Sequence, residues 1–259
     1  MTHSGANSSG SLGRLSRLKR LTSGGPIHLL AMDHAVTDGW YHGQDSPEQI
    51  ARDCSEFRVN GVVCHRGMIR LLPEAARLPV FLQLYGSSSL GTAKAQLLRP
   101  DHALTLDCVG VSVELDVDAA GPNLALAFET VEHAQRVGLL TLLMLAYSGV
   151  TAGSMARALA IGTQLGSDFI KVRLHTTDLS IAADGQLCEA VRRAPPLLLA
   201  GGVPDGSLKE KLTVARKLGF RGTCIGRNYF YASERSNTAK IIADEFGDPS
   251  DGAYDRSQT

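Results

Sequence analysis

Seven lysines occur along the chain, and Lys171 stands apart from the rest because it lies inside an apolar, β-branched run, Phe169-Ile-Lys-Val-Arg-Leu174. The other six, Lys19, Lys94, Lys209, Lys211, Lys217 and Lys240, fall in segments that read as helix or loop surface. An ammonium buried in a strand is costly to desolvate. Desolvation or a neighbouring cation lowers the amine's pKa and leaves a neutral nucleophile able to attack a carbonyl and form a Schiff base. An edge lysine or an ion-pair partner is the competing reading. Asp33 and Tyr147 close two other apolar runs. A carboxylate and a phenol can divide the proton transfers that carbinolamine formation, dehydration and carbon-carbon bond chemistry require. Taken singly, Asp33 reads equally as a loop cap, and Tyr147 as a core aromatic with a solvated hydroxyl.

Two further runs end in Ala200-Gly201-Gly202 and Ile225-Gly226-Arg227-Asn228. Glycines there let backbone N–H groups approach an anion, and a guanidinium suits phosphate oxygens. Glycine also ends strands for purely steric reasons. His34, His65 and His175 follow strand ends, with Glu114 and Asp116 on a fourth run, so a divalent metal is an alternative. Their spacing matches no ligand motif, and strand-end histidines such as His34 and His175 read more simply as substrate-binding groups; neither metal nor cofactor is expected. Arg173 lies two residues beyond Lys171 and shares its face of the strand. With His175 it can grip a carboxylate on the second substrate while depressing the lysine pKa, or it can pair with Glu114 or Asp116.

Elements must carry these groups to one place. Strand-like runs occupy 26–33, 61–65, 79–86, 109–116, 139–147, 169–174, 196–201 and 222–228, and helical patterns fit 47–59, 67–76, 125–137, 151–165, 185–193, 206–218 and 234–246. Such alternation is the mark of βαβ units and a parallel sheet. Eight repeats predict a single (β/α)8 TIM barrel, in which catalytic groups sit at the C-terminal ends of the strands. The first strand ends in Met32-Asp33-His34, where a dinucleotide-binding sheet would carry GxGxxG. Leu12, Leu15 and Leu18 among Arg14, Arg17, Lys19 and Arg20 predict a short basic N-terminal helix, a lid over one end of the barrel. The barrel domain is expected over 12–247, between a flexible N-terminus (1–11) and a flexible tail (248–259).

Composition narrows the classes. Lysine plus arginine (26) balances aspartate plus glutamate (26), so no charge excess draws the chain to nucleic acid or an anionic membrane. Five scattered cysteines without CxxC spacing argue against a disulfide framework or zinc knuckle. The longest strongly apolar run, Leu139 to Ala146, is far short of the ~20 residues that span a bilayer. A cytoplasmic protein is expected.

The chain resembles class I aldolases of the archaeal fructose-bisphosphate aldolase type, which include 2-amino-3,7-dideoxy-D-threo-hept-6-ulosonate synthase. The similarity spans about residues 26–246 and is carried by Ala31-Met-Asp-His34, Val62-Val-Cys-His-Arg-Gly-Met68, Gly110-Val-Ser-Val113, Gly166-Ser-Asp-Phe-Ile-Lys171, Leu199-Ala-Gly-Gly202 and Ile225-Gly-Arg-Asn228. The resemblance implies that Lys171 is the Schiff-base lysine, Asp33 an acid/base and Tyr147 the proton donor or acceptor. It implies further that Gly201, Gly202, Gly226 and Arg227 hold the donor's phosphate, and that the protein is a homo-oligomer. Ala35–Trp40 replaces the family's Gly and Gly-Pro, Ser148-Gly149-Val150 replaces Pro-Arg-Gly, and the loop around Gly121-Pro122 is abbreviated. These departures point away from glycolytic fructose-bisphosphate cleavage.

The expected function is a cofactor-free aldolase joining or cleaving a phosphorylated ketose, such as dihydroxyacetone phosphate, and an aldehyde, such as aspartate semialdehyde in aminohydroxybenzoate-type biosynthesis. A fructose-bisphosphate aldolase, a heptulosonate-synthase-type transaldolase and a noncatalytic phosphosugar-binding barrel are the alternatives.

Overall fold

A computed structural model describes residues 8–22, 24–40, 46–72, 78–88, 94–119 and 121–247. Eight parallel strands close a barrel: β1 (Ile27–Ala31), β2 (Gly61–Cys64), β3 (Val80–Gln83), β6 (Gly110–Asp116), β7 (Leu140–Ala146), β8 (Phe169–Arg173), β9 (Leu197–Ala200) and β10 (Gly222–Ile225), which returns to β1. The two-residue strands β4 (Tyr85–Gly86) and β5 (Ala95–Gln96) pair antiparallel outside the ring. The helices are α1 (Ser8–Leu21), α2 (Ala35–Asp38), α3 (Pro47–Glu56), α4 (Arg66–Ile69), α5 (His102–Thr105), α6 (Gly121–Arg136), α7 (Ala152–Gln164), α8 (Gly185–Arg193), α9 (Leu208–Lys217), α10 (Arg227–Phe230) and α11 (Arg235–Phe246). The predicted TIM barrel with an N-terminal helix is the observed fold.

The strands are apolar on both faces because both are covered. One face fills the barrel interior with Leu29, Ala31, Val63, Phe81, Leu142, Phe169, Leu198 and Cys224. The other packs against the helices through Leu30, Val62, Leu82, Val113, Leu143, Val172 and Leu199. Lys171 therefore belongs to the interior set by strict alternation with Ile170 and Val172.

Helix α1 closes the barrel end away from the strand C-termini. Leu21 joins the interior cluster and Leu18 packs against it. Arg14 pairs with Asp168, Arg17 Nη1 donates to Gly138 O at 3.1 Å, and Arg20 pairs with Asp107 at 3.2 Å. Those three partners precede β8, β7 and β6, so the helix caps the N-terminal rim. Leu12 and Leu15, expected on the same apolar stripe, are exposed.

Several boundaries depart from the sequence reading, four of them where they bear on the fold or the site. The run 79–86 splits: β3 stays in the barrel, and Tyr85–Gly86 turns out to pair with Ala95–Gln96. Of the helix expected over 67–76, the described residues show the single turn Arg66–Ile69, and 73–76 lie outside the described residues. Helix α6 starts at Gly121 instead of 125. The last strand stops at Ile225, and Arg227 and Asn228 open α10. The expected flexible N-terminus is entered by α1 from Ser8; residues 1–7 and the expected flexible tail 248–259 lie outside the described residues. Among the described residues no helix is long and apolar enough to cross a membrane.

Candidate active site

A cavity of about 270 Å³ opens at the C-terminal mouth of the barrel, lined among others by Asp33, His34, Tyr147, Lys171, Arg173, His175 and Arg227. Seven residues singled out in the sequence thus converge on one space, although they come from the ends of β1, β7, β8 and β10.

Lys171 lies on the floor. Its register places it beside Met144 of β7 and Leu198 of β9, and only 7% of its surface is exposed. Burial pulls its pKa down, but Cys224, to which it hydrogen-bonds, and the Asp33 and Glu114 carboxylates more than offset that, so the amine sits above its ordinary value. This differs from the expectation of a depressed lysine: Cys224, Asp33 and Glu114 together outweigh desolvation. Burial in turn pushes the Cys224 thiol up.

Asp33 extends β1. Its Oδ2 accepts from Gln83 Nε2 at 2.8 Å, and its Oδ1 lies 3.3 Å from His34 Nδ1. Burial opposes ionisation, but His34, Lys171 and Lys94 together with the Gln83 hydrogen bond hold the carboxyl far below its usual range. His34 is driven to about 4, chiefly by burial, and is neutral near pH 7. Asp33 is thus an ionised neighbour of Lys171.

Tyr147, on the residue after β7, donates through Oη to the backbone carbonyl of Arg173 at 2.8 Å and meets the His175 ring edge-on at 4.7 Å. Burial drives the phenol upward, so it keeps its proton. Its ring belongs to the hydrophobic core, and its hydroxyl, expected to be solvated if the residue were only a core aromatic, is tied to the strand that carries Lys171.

Arg173 lies against Gly202, where a β-carbon would stand 3.0 Å from Nε, in a backbone conformation (φ +74°) that favours glycine. Burial and Arg227 both lower its pKa, with Asp205 opposing. It does not pair with Glu114, which binds Lys94 instead. Arg227 pairs with Asp38 at 3.6 Å, and its buried Nε has no hydrogen-bond partner among the described residues. Gly201, Gly202 and Gly226 are not among the residues that line the cavity. A β-carbon on Gly226 would come within 2.2 Å of Ala31 O, a steric requirement that exists with or without an anion. In its paired orientation the Asn228 amide donates to Gly201 O at 2.9 Å and to Gly202 O at 3.2 Å, joining the two glycine-bearing strand ends.

Sequence reasoning missed Lys94, Gln83 and Asp38, all on the cavity wall. Lys94, read as surface, pairs with Glu114 at 2.6 Å inside the mouth, and Lys211, also read as surface, is buried against Asp205 at 2.6 Å. Gln83 carried a usable signal, as the one amide side chain in the otherwise apolar run Pro79–Gly86. The histidine alternative is not assembled: the described residues contain no group of three or more His, Cys, Asp or Glu side chains placed to share a metal ion.

Comparison with known proteins adds to this geometry. The family model described as DeoC/LacD family aldolase matches residues 27–232. The 2-amino-3,7-dideoxy-D-threo-hept-6-ulosonate synthase 1 of Archaeoglobus fulgidus is 24% identical over 244 residues, covering 89% of this chain and 90% of that protein. The 2-amino-4,5-dihydroxy-6-oxo-7-(phosphonooxy)heptanoate synthase of Streptomyces griseus is 24% identical over 250 residues, covering 89% of each. In fold, the chain is similar to an archaeal fructose-1,6-bisphosphate aldolase solved with its catalytic Lys covalently bound to the carbinolamine intermediate (TM-score 0.76, 19% identity, 90% of this chain and 99% of that one).

Proposed function

The chain belongs to the DeoC/LacD aldolase family, and from that premise we propose that it joins a phosphorylated ketose to an aldehyde through a Schiff base on Lys171. The observation that carries this reading is the placing of Lys171 on the cavity floor, with Asp33 ionised near it and a protonated Tyr147 at the rim. Lys171 first loses its proton, and its amine adds to the ketone of the donor. Asp33 relays the protons by which the carbinolamine loses water to an iminium. Asp33 takes a proton from the adjacent carbon to give an enamine, which attacks the aldehyde; Tyr147 protonates the new alkoxide, both groups return to their resting states by proton exchange with solvent, and water releases the product and restores the amine. Run backwards, the same steps cleave.

The donor's phosphate is assigned to Arg227 with Gly201, Gly202 and Gly226. Sequence reasoning gave Arg173 to the acceptor's carboxylate, but its contact with Gly202 and its proximity to Arg227 support the phosphate end instead. His34 and His175 remain substrate-binding groups, both neutral near pH 7 because burial lowers them. Dihydroxyacetone phosphate is the proposed donor and aspartate semialdehyde the proposed acceptor, a pairing supported by the amino and phosphonooxy groups in the name of the Streptomyces relative. The test is product formation from dihydroxyacetone phosphate with a panel of aldehydes. Product is expected with the wild type and not with Lys171→Met; turnover of unphosphorylated dihydroxyacetone at an equal rate overturns the phosphate assignment.

A further inference from the structure

We propose that the Lys94–Glu114 ion pair reads the headgroup of the acceptor, and that this headgroup is zwitterionic: an α-amino acid carrying its aldehyde on the side chain. The inference rests on the aldolase reading above and adds the residues that select the second substrate.

Barrel order supplies the geometry. Glu114 is in register with Met144, and Met144 with Lys171, so the three lie on consecutive neighbouring strands. Around the ring the strands run β10, β9, β8, β7, β6, which puts β8 midway and sets β6 and β10 on opposite walls. A donor whose phosphate rests by Arg227, after β10, and whose ketone reaches Lys171 on β8 leaves the β6 wall for its partner. That wall presents Lys94 Nζ 2.6 Å from Glu114 Oε2. Both residues line the cavity, and their side chains are 33% and 16% exposed, so substrate can reach them.

The pairing itself decides the chemistry. An acceptor bearing only an anion either draws Lys94 away from Glu114 or shares it, and in both cases one negative charge in a partly buried place is left uncompensated. A purely cationic acceptor leaves Lys94 in the same condition. An α-amino acid headgroup offers its carboxylate to Lys94 and its ammonium to Glu114, so all four charges keep opposite partners.

The test uses the full-length enzyme, dihydroxyacetone phosphate, and three acceptors: aspartate semialdehyde, succinate semialdehyde (which lacks the ammonium) and 3-aminopropanal (which lacks the carboxylate). Wild type is expected to favour the first by about 10–100-fold in kcat/KM over either other. Glu114→Gln erases the preference over succinate semialdehyde, Lys94→Met erases that over 3-aminopropanal, and Lys94→Arg restores it. Borohydride trapping of the donor on Lys171 is followed in parallel. If the wild type traps donor but shows no zwitterion preference, or if both neutral variants lose addition equally with all three acceptors, the pair is structural and the inference fails. If the wild type traps no donor, the aldolase reading fails first.

Discussion

Tyr147 Oη donates a 2.8 Å hydrogen bond to the carbonyl of Arg173, two residues beyond Lys171 on the same strand. The bond ties the ends of β7 and β8 together and fixes the phenol over the cavity whose floor is Lys171. Because burial raises the phenol's pKa, the hydroxyl keeps its proton, as the proposed acid role requires. Tyr147→Phe is therefore expected to slow carbon-carbon chemistry by about 10²–10⁴-fold while donor can still be trapped on Lys171. Single-turnover addition measured beside trapping checks this; a parallel loss of both would make Tyr147 a support for the lysine strand.

Lys171 carries a proton at rest, so imine formation should accelerate as pH rises toward the raised pKa of the amine. Asp33 is one of the anions holding that proton. In Asp33→Asn the midpoint of the trapping profile is expected to move to lower pH, while the plateau falls by about 10²–10⁴-fold through loss of the acid/base. A midpoint that stays or rises would show that the carboxylate does not act on the amine.

Arg227→Ala is expected to raise the donor KM by about 10–100-fold with a smaller change in kcat, the effect of removing one charge-assisted contact to phosphate. Arg173→Leu should act in the same direction and equally with carboxylated and uncarboxylated acceptors. Loss confined to carboxylated aldehydes would return Arg173 to the acceptor.

How much of this could be read from the chain depends on the range of each signal. Strand and helix patterns are local, so the eight runs were legible one by one and their number predicted the barrel, with Lys171 inside the run Phe169–Leu174. Asp33, Tyr147 and Arg227 were legible because they close apolar runs, and a TIM barrel gathers such ends at one mouth. Lys94 was not: it stands at the short β4–β5 pairing, and its partner Glu114 lies on another strand, so only folding brings the two together. The sign of the Lys171 shift was hidden for the same reason, since it is set by carboxylates from β1 and β6 and a thiol from β10. The pairing 79–86 was misread because nothing in Pro79–Gly86 marks where the strand leaves the barrel.

Stability carries its own pH signature. His28, buried against Thr223 and Gly247, is lowered from 6.5 to about 4 by burial. The unfolded chain then binds the proton first, so the contribution of this residue is complete above pH 6.5 and is lost as pH falls toward about 4, on the order of 3 kcal/mol in all. Denaturant unfolding between pH 4 and 7 should show stability rising with pH, less steeply in His28→Gln. An identical slope in the variant would assign the effect elsewhere.

The most direct measurement is mass spectrometry of the protein after borohydride reduction in the presence of dihydroxyacetone phosphate. Peptide mapping is expected to find one reduced donor adduct, on Lys171, with none in Lys171→Met, which should also lack turnover. An adduct on Lys94 or another lysine, or full activity in Lys171→Met, would contradict the assignment of the nucleophile.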